Sequence, residues 1–157
     1  MNYLITGGTG LIGKALIAKL LLQNEKVTVL TRNVNKAQKA LNNSVNCISE
    51  LSLFDIENSD AIINLAGEPI ADKRWTSQQK RTICDSRWHI TETLVELINC
   101  AKAPPSLFIS GSAVGIYGRQ EDQIIDESFI NYHQEFTHEV CDKWEQLALN
   151  VKSAATR

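Results

Sequence analysis

Thr6-Gly7-Gly8-Thr9-Gly10-Leu11-Ile12-Gly13 carries the clearest chemistry in this chain. A short apolar run precedes it and a helical run follows, the setting in which three spaced glycines cradle a pyrophosphate. Gly7 would permit the tight turn, Gly10 the approach of backbone to phosphate, and Gly13 close helix–strand packing. The phosphates would meet the amides and positive end of a helix starting near Leu11, with Thr6, Leu11 and Ile12 completing the contact. A rival exists, because Gly8 to Lys14 (GTGLIGK) also fits a triphosphate-binding loop. That loop needs a Ser or Thr after its lysine to hold Mg²⁺, and Ala15 stands there. A dinucleotide is therefore favoured.

Arg32 bears on which dinucleotide. An NAD site calls for an acidic side chain about twenty residues further on, at the end of the second strand. That stretch reads Leu30-Thr31-Arg32-Asn33 and holds no acid. A guanidinium there suits a 2′-phosphate, so NADP(H) is expected, with NAD as the alternative. A solvated arginine beside an unselective pocket is the plainer reading.

The elements that must position these residues are legible from periodicity. Asn2 to Thr6, Lys26 to Thr31, Ala61 to Ala66 and Ser106 to Ser110 read as strands, and Val45 to Ile48 as a further one. Their near-continuous apolar character suits a parallel sheet covered on both faces. Leu11 to about Gln23 is helical, with Ile12, Leu16 and Leu20 on one stripe. A long helix begins at a Thr76/Gln79 capping-box pattern, carries Ile83, Ile90, Leu94, Leu97 and Ile98, and ends before Pro104-Pro105. A last helix holds Phe136, Val140 and Trp144. The alternation predicts an α/β, doubly wound parallel sheet, a Rossmann-like fold. Residues 1–157 are expected to form one such domain, cut short before a substrate lobe.

Composition agrees and excludes other classes. The 157 residues are 43% apolar and 22% charged, with net charge −2. A chain of this size buries roughly 70% of its surface without needing a disulfide or metal. The balance of charge gives no pull towards nucleic acid or anionic membrane. Cys47, Cys84, Cys100 and Cys141 show no metal-ligand spacing and read as reduced core thiols of a cytoplasmic protein. The apolar run Leu11 to Leu22 is broken by Lys14 and Lys19 and is too short to span a bilayer.

With these motifs assembled, the chain resembles the extended short-chain dehydrogenase/reductases, the NAD-dependent epimerase/dehydratase superfamily. TGGTGLIG, NLAG at Asn64 to Gly67 and SGSAVGIYG at Ser110 to Gly118 carry the likeness. GEPIADKRWT (Gly67 to Thr76), the segment from Ser86-Arg87 to Thr91, and EVCDKWE (Glu139 to Glu145) resemble an atypical branch of epimerase family proteins. Members of that branch are about twice this long, in the range of two-lobed enzymes. The resemblance implies that Asn64, Ala66 and Gly67 edge the cofactor. It puts Ser112, with Ser110 in reserve, at the position of the catalytic Ser/Thr that bonds the reacting oxygen. It also implies a small-molecule substrate such as a sugar nucleotide. Homodimerisation through the helices near Ser77 to Ala101 and Tyr132 to Leu149 follows by analogy alone.

One departure is large. Enzymes of this superfamily use a Tyr-x-x-x-Lys pair, and no tyrosine here has its lysine: Tyr3, Tyr117 and Tyr132 are followed four residues on by Gly7, Glu121 and Phe136. Alignment on Trp144-Glu145 puts Thr137 and Cys141 at the two positions, and a threonine hydroxyl is too weak an acid to replace tyrosine. His138 is the best-tuned substitute base, although a packed or exposed helix histidine is the simpler account. Cys141 as nucleophile is set against a buried thiol. Arg87, where relatives often carry asparagine, is read either as reaching an anionic substrate or as pairing with a carboxylate. Arg74 and Lys80 around Trp75 read as surface more than as an anion patch. Glu139, Asp142 and Asp126-Glu127 read as solvated.

Overall fold

Five short strands are stacked in parallel, buried at the centre of the sheet and partly exposed at its edges. The computed structural model describes residues 1–157. In chain order the elements are β1 (Asn2–Thr6), α1 (Leu11–Leu22), β2 (Lys26–Leu30), α2 (Val34–Ala40), β3 (Asn46–Ile48) and α3 (Leu53–Glu57). There follow β4 (Ala61–Asn64), α4 (Ser77–Cys100), β5 (Leu107–Ser110), a 3-10 turn (Val114–Tyr117) and α5 (Phe136–Ala148). The sheet order is β3-β2-β1-β4-β5, and every pairing is parallel. The chain winds outward from β1 to β3, returns to β4 and winds the other way. The order thus reverses between β1 and β4, whose carboxyl ends flank the crevice where such sheets bind ligands.

The side-chain alternation of the strands divides the core. Ile5, Val27, Val29 and Ile63 face α1 and α2, where they meet Ile17, Leu20 and Ala37. Their sequence neighbours Leu4 and Ile62 face the other way, onto Ile56 of α3 and Leu94 and Ile98 of α4. Ile83, Cys84 and Val140 join α4 to α5.

Two helices were beyond reach of periodicity. α2 and α3 are 7 and 5 residues long, too short to repeat an apolar stripe, and are set instead by their caps. Asn33 Oδ1 accepts from the Lys36 amide at 2.9 Å, and Ser52 with Asp55 forms a reciprocal capping box. The stripe of α1 also differs: Gly13, Ile17 and Leu20 are buried, whereas Ile12 is 68% exposed. Ile12 sits in the first turn, beyond the end of the sheet it was expected to cover. At α4 only the Thr76 half of the capping box forms, because the Thr76 amide donates to Arg74 O at 2.9 Å and not to Gln79. Cys100 is exposed, so three of the four thiols are buried rather than all. Past α5, the Arg157 amide donates to Ser106 O at 3.1 Å and its carbonyl accepts from Phe108 N at 2.9 Å, along the outer edge of β5. No helix is long and apolar enough to cross a membrane.

Candidate functional site

The glycine turn occupies the head of the crevice. Gly7 has φ +67°, and a Cβ there would stand 2.3 Å from Leu65 O. Only glycine satisfies both constraints. Gly13 is held by crowding of another kind, since a Cβ would fall 2.5 Å from Gly7 O and 2.7 Å from Gly8 Cα. It therefore lets α1 pack on its own leading loop, more than on a strand. Gly8 was not singled out in the sequence, yet its Cβ would meet Val29 at 2.8 Å. Gly10 is looser: the nearest atom to a Cβ would be Gly7 O at 3.2 Å. It is the N-cap of α1, with no capping side chain and no acid in the first turn. The helix's bonds begin with the Lys14 amide to Gly10 O at 3.0 Å, which leaves the amides of Leu11, Ile12 and Gly13 free. Leu11 is 90% exposed.

Thr6 and Asn64 lie beneath this turn and not on its surface. Both are wholly buried. The Thr6 hydroxyl donates to Asn64 Oδ1 at 2.6 Å and accepts from the amides of Leu65 and Ala66 at 3.2 and 3.1 Å. Asn64 Nδ2 donates to Thr91 Oγ1 at 2.8 Å, and its carbonyl accepts from Gly111 N at 2.8 Å. Both side chains therefore point inward, and any contact of these two residues with a cofactor would fall to their backbone. Their polar atoms tie β1, β4, α4 and the end of β5 together, and they act by shaping the loops. Ala66 and Gly67 follow at the lip of the crevice, Gly67 exposed.

Arg32 is exposed at the end of β2 and forms no ion pair. Across the crevice, Lys73 bonds Glu68 at 2.8 Å and holds its carboxyl below the usual range, with a smaller contribution from the Arg32 charge. The Glu68 amide donates to Ser86 Oγ at 2.8 Å. Arg87 Nη1 donates to the carbonyls of Glu68 and Ile83 at 3.1 and 3.0 Å, and no carboxylate pairs with it. Burial lowers the pKa of this guanidinium. Lys80 lies 4.7 Å from the Phe136 ring centroid, a packing contact of the surface.

Beyond β5, Ser112 is exposed and its hydroxyl donates to the Glu145 carboxylate on α5. Both line an open hollow of about 470 Å³ together with Ser110 and Gly111. Glu145 served only as an alignment mark in the sequence; a contact over 33 residues has no local signature. His138 is not part of this group. Its Nδ1 lies 2.5 Å from Ile116 O and its ring packs on Tyr132, two helical turns, about 10.5 Å, along α5 from Glu145. Thr137 and Cys141 lie under the 3-10 turn, where a Cβ on Gly115 would stand 3.1 Å from Thr137 Cβ and 3.4 Å from Cys141 Sγ. Burial pushes the Cys141 thiol up and the Glu145 charge adds to it, which disfavours a nucleophilic thiolate.

The sequence model of the NAD dependent epimerase/dehydratase family matches residues 3–140. The chain belongs to that family. It is 37% identical over 158 residues to the epimerase family protein SDR39U1 homolog, chloroplastic, of Arabidopsis thaliana, covering 96% of this chain and 45% of the relative. It is 32% identical over 159 residues to the epimerase family protein YfhF of Bacillus subtilis, covering 100% and 52%. The crystal structure of human epimerase family protein SDR39U1 (isoform 2) with NADPH matches with a TM-score of 0.80 at 27% identity, over 100% of this chain and 51% of that one. A nucleoside-diphosphate sugar epimerase from Corynebacterium glutamicum matches at 0.75 and 28%, over 96% and 31%. The chain spans about half the length of the curated relatives it matches.

Proposed function

We propose that this chain binds NADP(H) in the crevice between β1 and β4, and that the protein it forms transfers hydride at a carbinol carbon of a sugar nucleotide or similar small molecule. The carrying observation is the Gly7–Gly13 turn, built at an uncapped helix start with no acid in its first turn. These residues fit a dinucleotide. Gly7 and Gly13 are demanded by the turn itself, whereas Gly10 is loosely surrounded, as a backbone that receives a phosphate should be. The amides of Leu11, Ile12 and Gly13 would hold the pyrophosphate. Arg32 would hold the 2′-phosphate, and Ala66 and Gly67 would form the opposite lip. When bound, the nicotinamide supplies the hydride chemistry. The relative crystallised with NADPH supports the choice of cofactor.

Ser112 and Glu145 replace the missing pair in this reading. Ser112 bonds the reacting oxygen and passes a proton to the carboxylate that already accepts from it. Titration of the purified protein with NADPH and NADH, followed by nicotinamide fluorescence, tests the proposal. Tighter binding of NADPH is expected, and no binding of either by a folded sample would overturn it.

A second reading, a cofactor-binding module without catalysis, is favoured by the covering of Thr137 and Cys141 by the 3-10 turn. The two part when sugar nucleotides are added: only an enzyme changes the redox state of bound nicotinamide.

A further inference from the structure

Arg87 rises from the middle of α4 between the carboxyl ends of β4 and β5. Its Nη1 is fixed to loop and helix by the carbonyls of Glu68 and Ile83. Gly67 presses on the guanidinium: a Cβ there would stand 2.7 Å from Cζ, 2.9 Å from Nη2 and 3.1 Å from Nε. The central carbon is the nearest of the three, so the backbone covers a face of the group and not its edge. The Trp144 ring lies 5.4 Å from Cζ, and the same indole reaches Gly111, whose Cβ would stand 3.1 Å from Trp144 Cη2. Nε and Nη2 make no hydrogen bond within the protein and are not enclosed. Glu68, the acid beside it, gives its carboxylate to Lys73.

A half-buried guanidinium without a counter-ion favours a bound anion at its free edge. Nε and Nη2 lie side by side, and their parallel N–H bonds match the two oxygens of a carboxylate or phosphate. The glycine turn that would receive the cofactor's phosphates lies across β4, towards β1 and β2. The Trp144 ring on the other side of Arg87 packs on Gly111, the residue that follows β5.

We infer that Arg87 is a bidentate receptor for an oxyanion, a carboxylate or phosphate carried by the substrate, held at its open Nε/Nη2 edge between Gly67 and Trp144. The inference deepens the function proposed above and rests on it for calling the ligand a substrate; the fork itself needs no cofactor.

The test is an NMR titration of the ¹⁵N-labelled chain with sodium acetate and with inorganic phosphate, at ionic strength held constant with chloride. The readout is the Arg87 Nε–H resonance, identified by its loss in Arg87→Lys or, should that variant not fold, by assignment through the backbone. A saturable displacement is expected, with a dissociation constant on the order of 10 mM or tighter. Tighter acetate binding points to a carboxylate substrate, and tighter phosphate binding to a phosphorylated one. No saturable displacement, or one shared equally by Arg74 and Arg119, overturns the inference. The titration is repeated with NADPH present. Displacement of the anion by NADPH would make the site part of the cofactor's own and overturn the substrate assignment. Saturation by the anion in a protein that binds no NADPH would uphold the receptor while the cofactor reading fails.

Discussion

The hydroxyl of Thr6 and the carboxamide oxygen of Asn64 stand 2.6 Å apart across β1 and β4, and neither residue reaches solvent. The bond lies at the point where the sheet changes winding direction. The Leu65 and Ala66 amides return to the same hydroxyl, so the path of the crevice lip depends on it. Replacing Asn64 with Leu strands the Thr6 hydroxyl proton and removes the donor to Thr91. A loss of about 1–3 kcal/mol is expected from the urea midpoint. The Leu65 and Ala66 amides keep the Thr6 hydroxyl as their acceptor, so the lip should hold its path and NADPH affinity should fall only in step with the folded fraction. A large loss of affinity in a fully folded Asn64→Leu protein would mean that the side chain contacts the cofactor after all.

The glycines separate in the same way. Gly7→Ala places a Cβ on Leu65 O in a left-handed residue, and should cost more than the 1–2 kcal/mol of the backbone term alone. Gly10→Ala meets a single atom at 3.2 Å and weakens only the N-cap, by about 1 kcal/mol. Its effect should fall instead on NADPH, by tenfold or more, because the methyl stands where phosphate would approach. Calorimetric melting read beside NADPH titration distinguishes the two. An unaltered affinity in Gly10→Ala would count against the phosphate site.

How far the sequence spoke depends on the range of each interaction. β1, β2, β4 and β5 are legible because buried parallel strands are continuously apolar, and α4 because 24 residues repeat an apolar stripe many times. α2 and α3 are too short to repeat one, although the Asn33 and Ser52 caps were there to be read. The glycine spacing disclosed a phosphate turn but not that Gly13 packs on Gly7 and Gly8. The orientation of Asn64 was hidden for a related reason: its motif marks the end of a strand at the crevice, and motif position does not tell an inward side chain from an outward one. The Ser112–Glu145 contact joins a loop to a helix and has no local trace at all.

Arg32 offers a test of cofactor choice that leaves the fold aside, because its side chain is exposed and unpaired. A guanidinium on a 2′-phosphate is a charge-assisted contact of about 1.5–3 kcal/mol. Arg32→Asp should therefore weaken NADPH by roughly 10- to 150-fold, while NADH, which lacks that phosphate, loses little. Equal losses for both in parallel fluorescence titrations would remove Arg32 from the site.

The thiols give a pH dependence with a definite sign. Burial raises the pKa of Cys47, Cys84 and Cys141 in the folded chain, with nearby acids adding to it at Cys84 and Cys141. In the unfolded chain they ionise near pH 8.5. Above that pH the unfolded state releases protons that the folded state keeps, so stability is full below about 8.5 and declines as pH rises further. The urea midpoint should follow that course. Exposed Cys100 should be the fast thiol towards a disulfide reagent, with Cys100→Ser removing the fast phase. A midpoint flat from neutral pH to pH 10 would show that the buried thiols ionise as they do in the unfolded chain.

The remaining question is which group moves the proton. Ser112 and Glu145 are joined, whereas His138 is bonded to Ile116 and lies two turns away on α5. Under the proposed function, Ser112→Ala and Glu145→Gln should each slow hydride transfer by on the order of 10²–10⁴-fold, the usual contribution of a positioned acid or base. The rate is read as single-turnover reduction of bound nicotinamide by a sugar nucleotide. The two effects should not add, since removing either member disables the same relay. His138→Ala removes the bond to Ile116 and the packing on Tyr132, and should leave the chemical step close to the parent rate. The reverse pattern, with His138→Ala slow and both relay variants fast, would transfer the role to the imidazole, whose Nδ1–H donation to Ile116 leaves Nε2 free to take a proton.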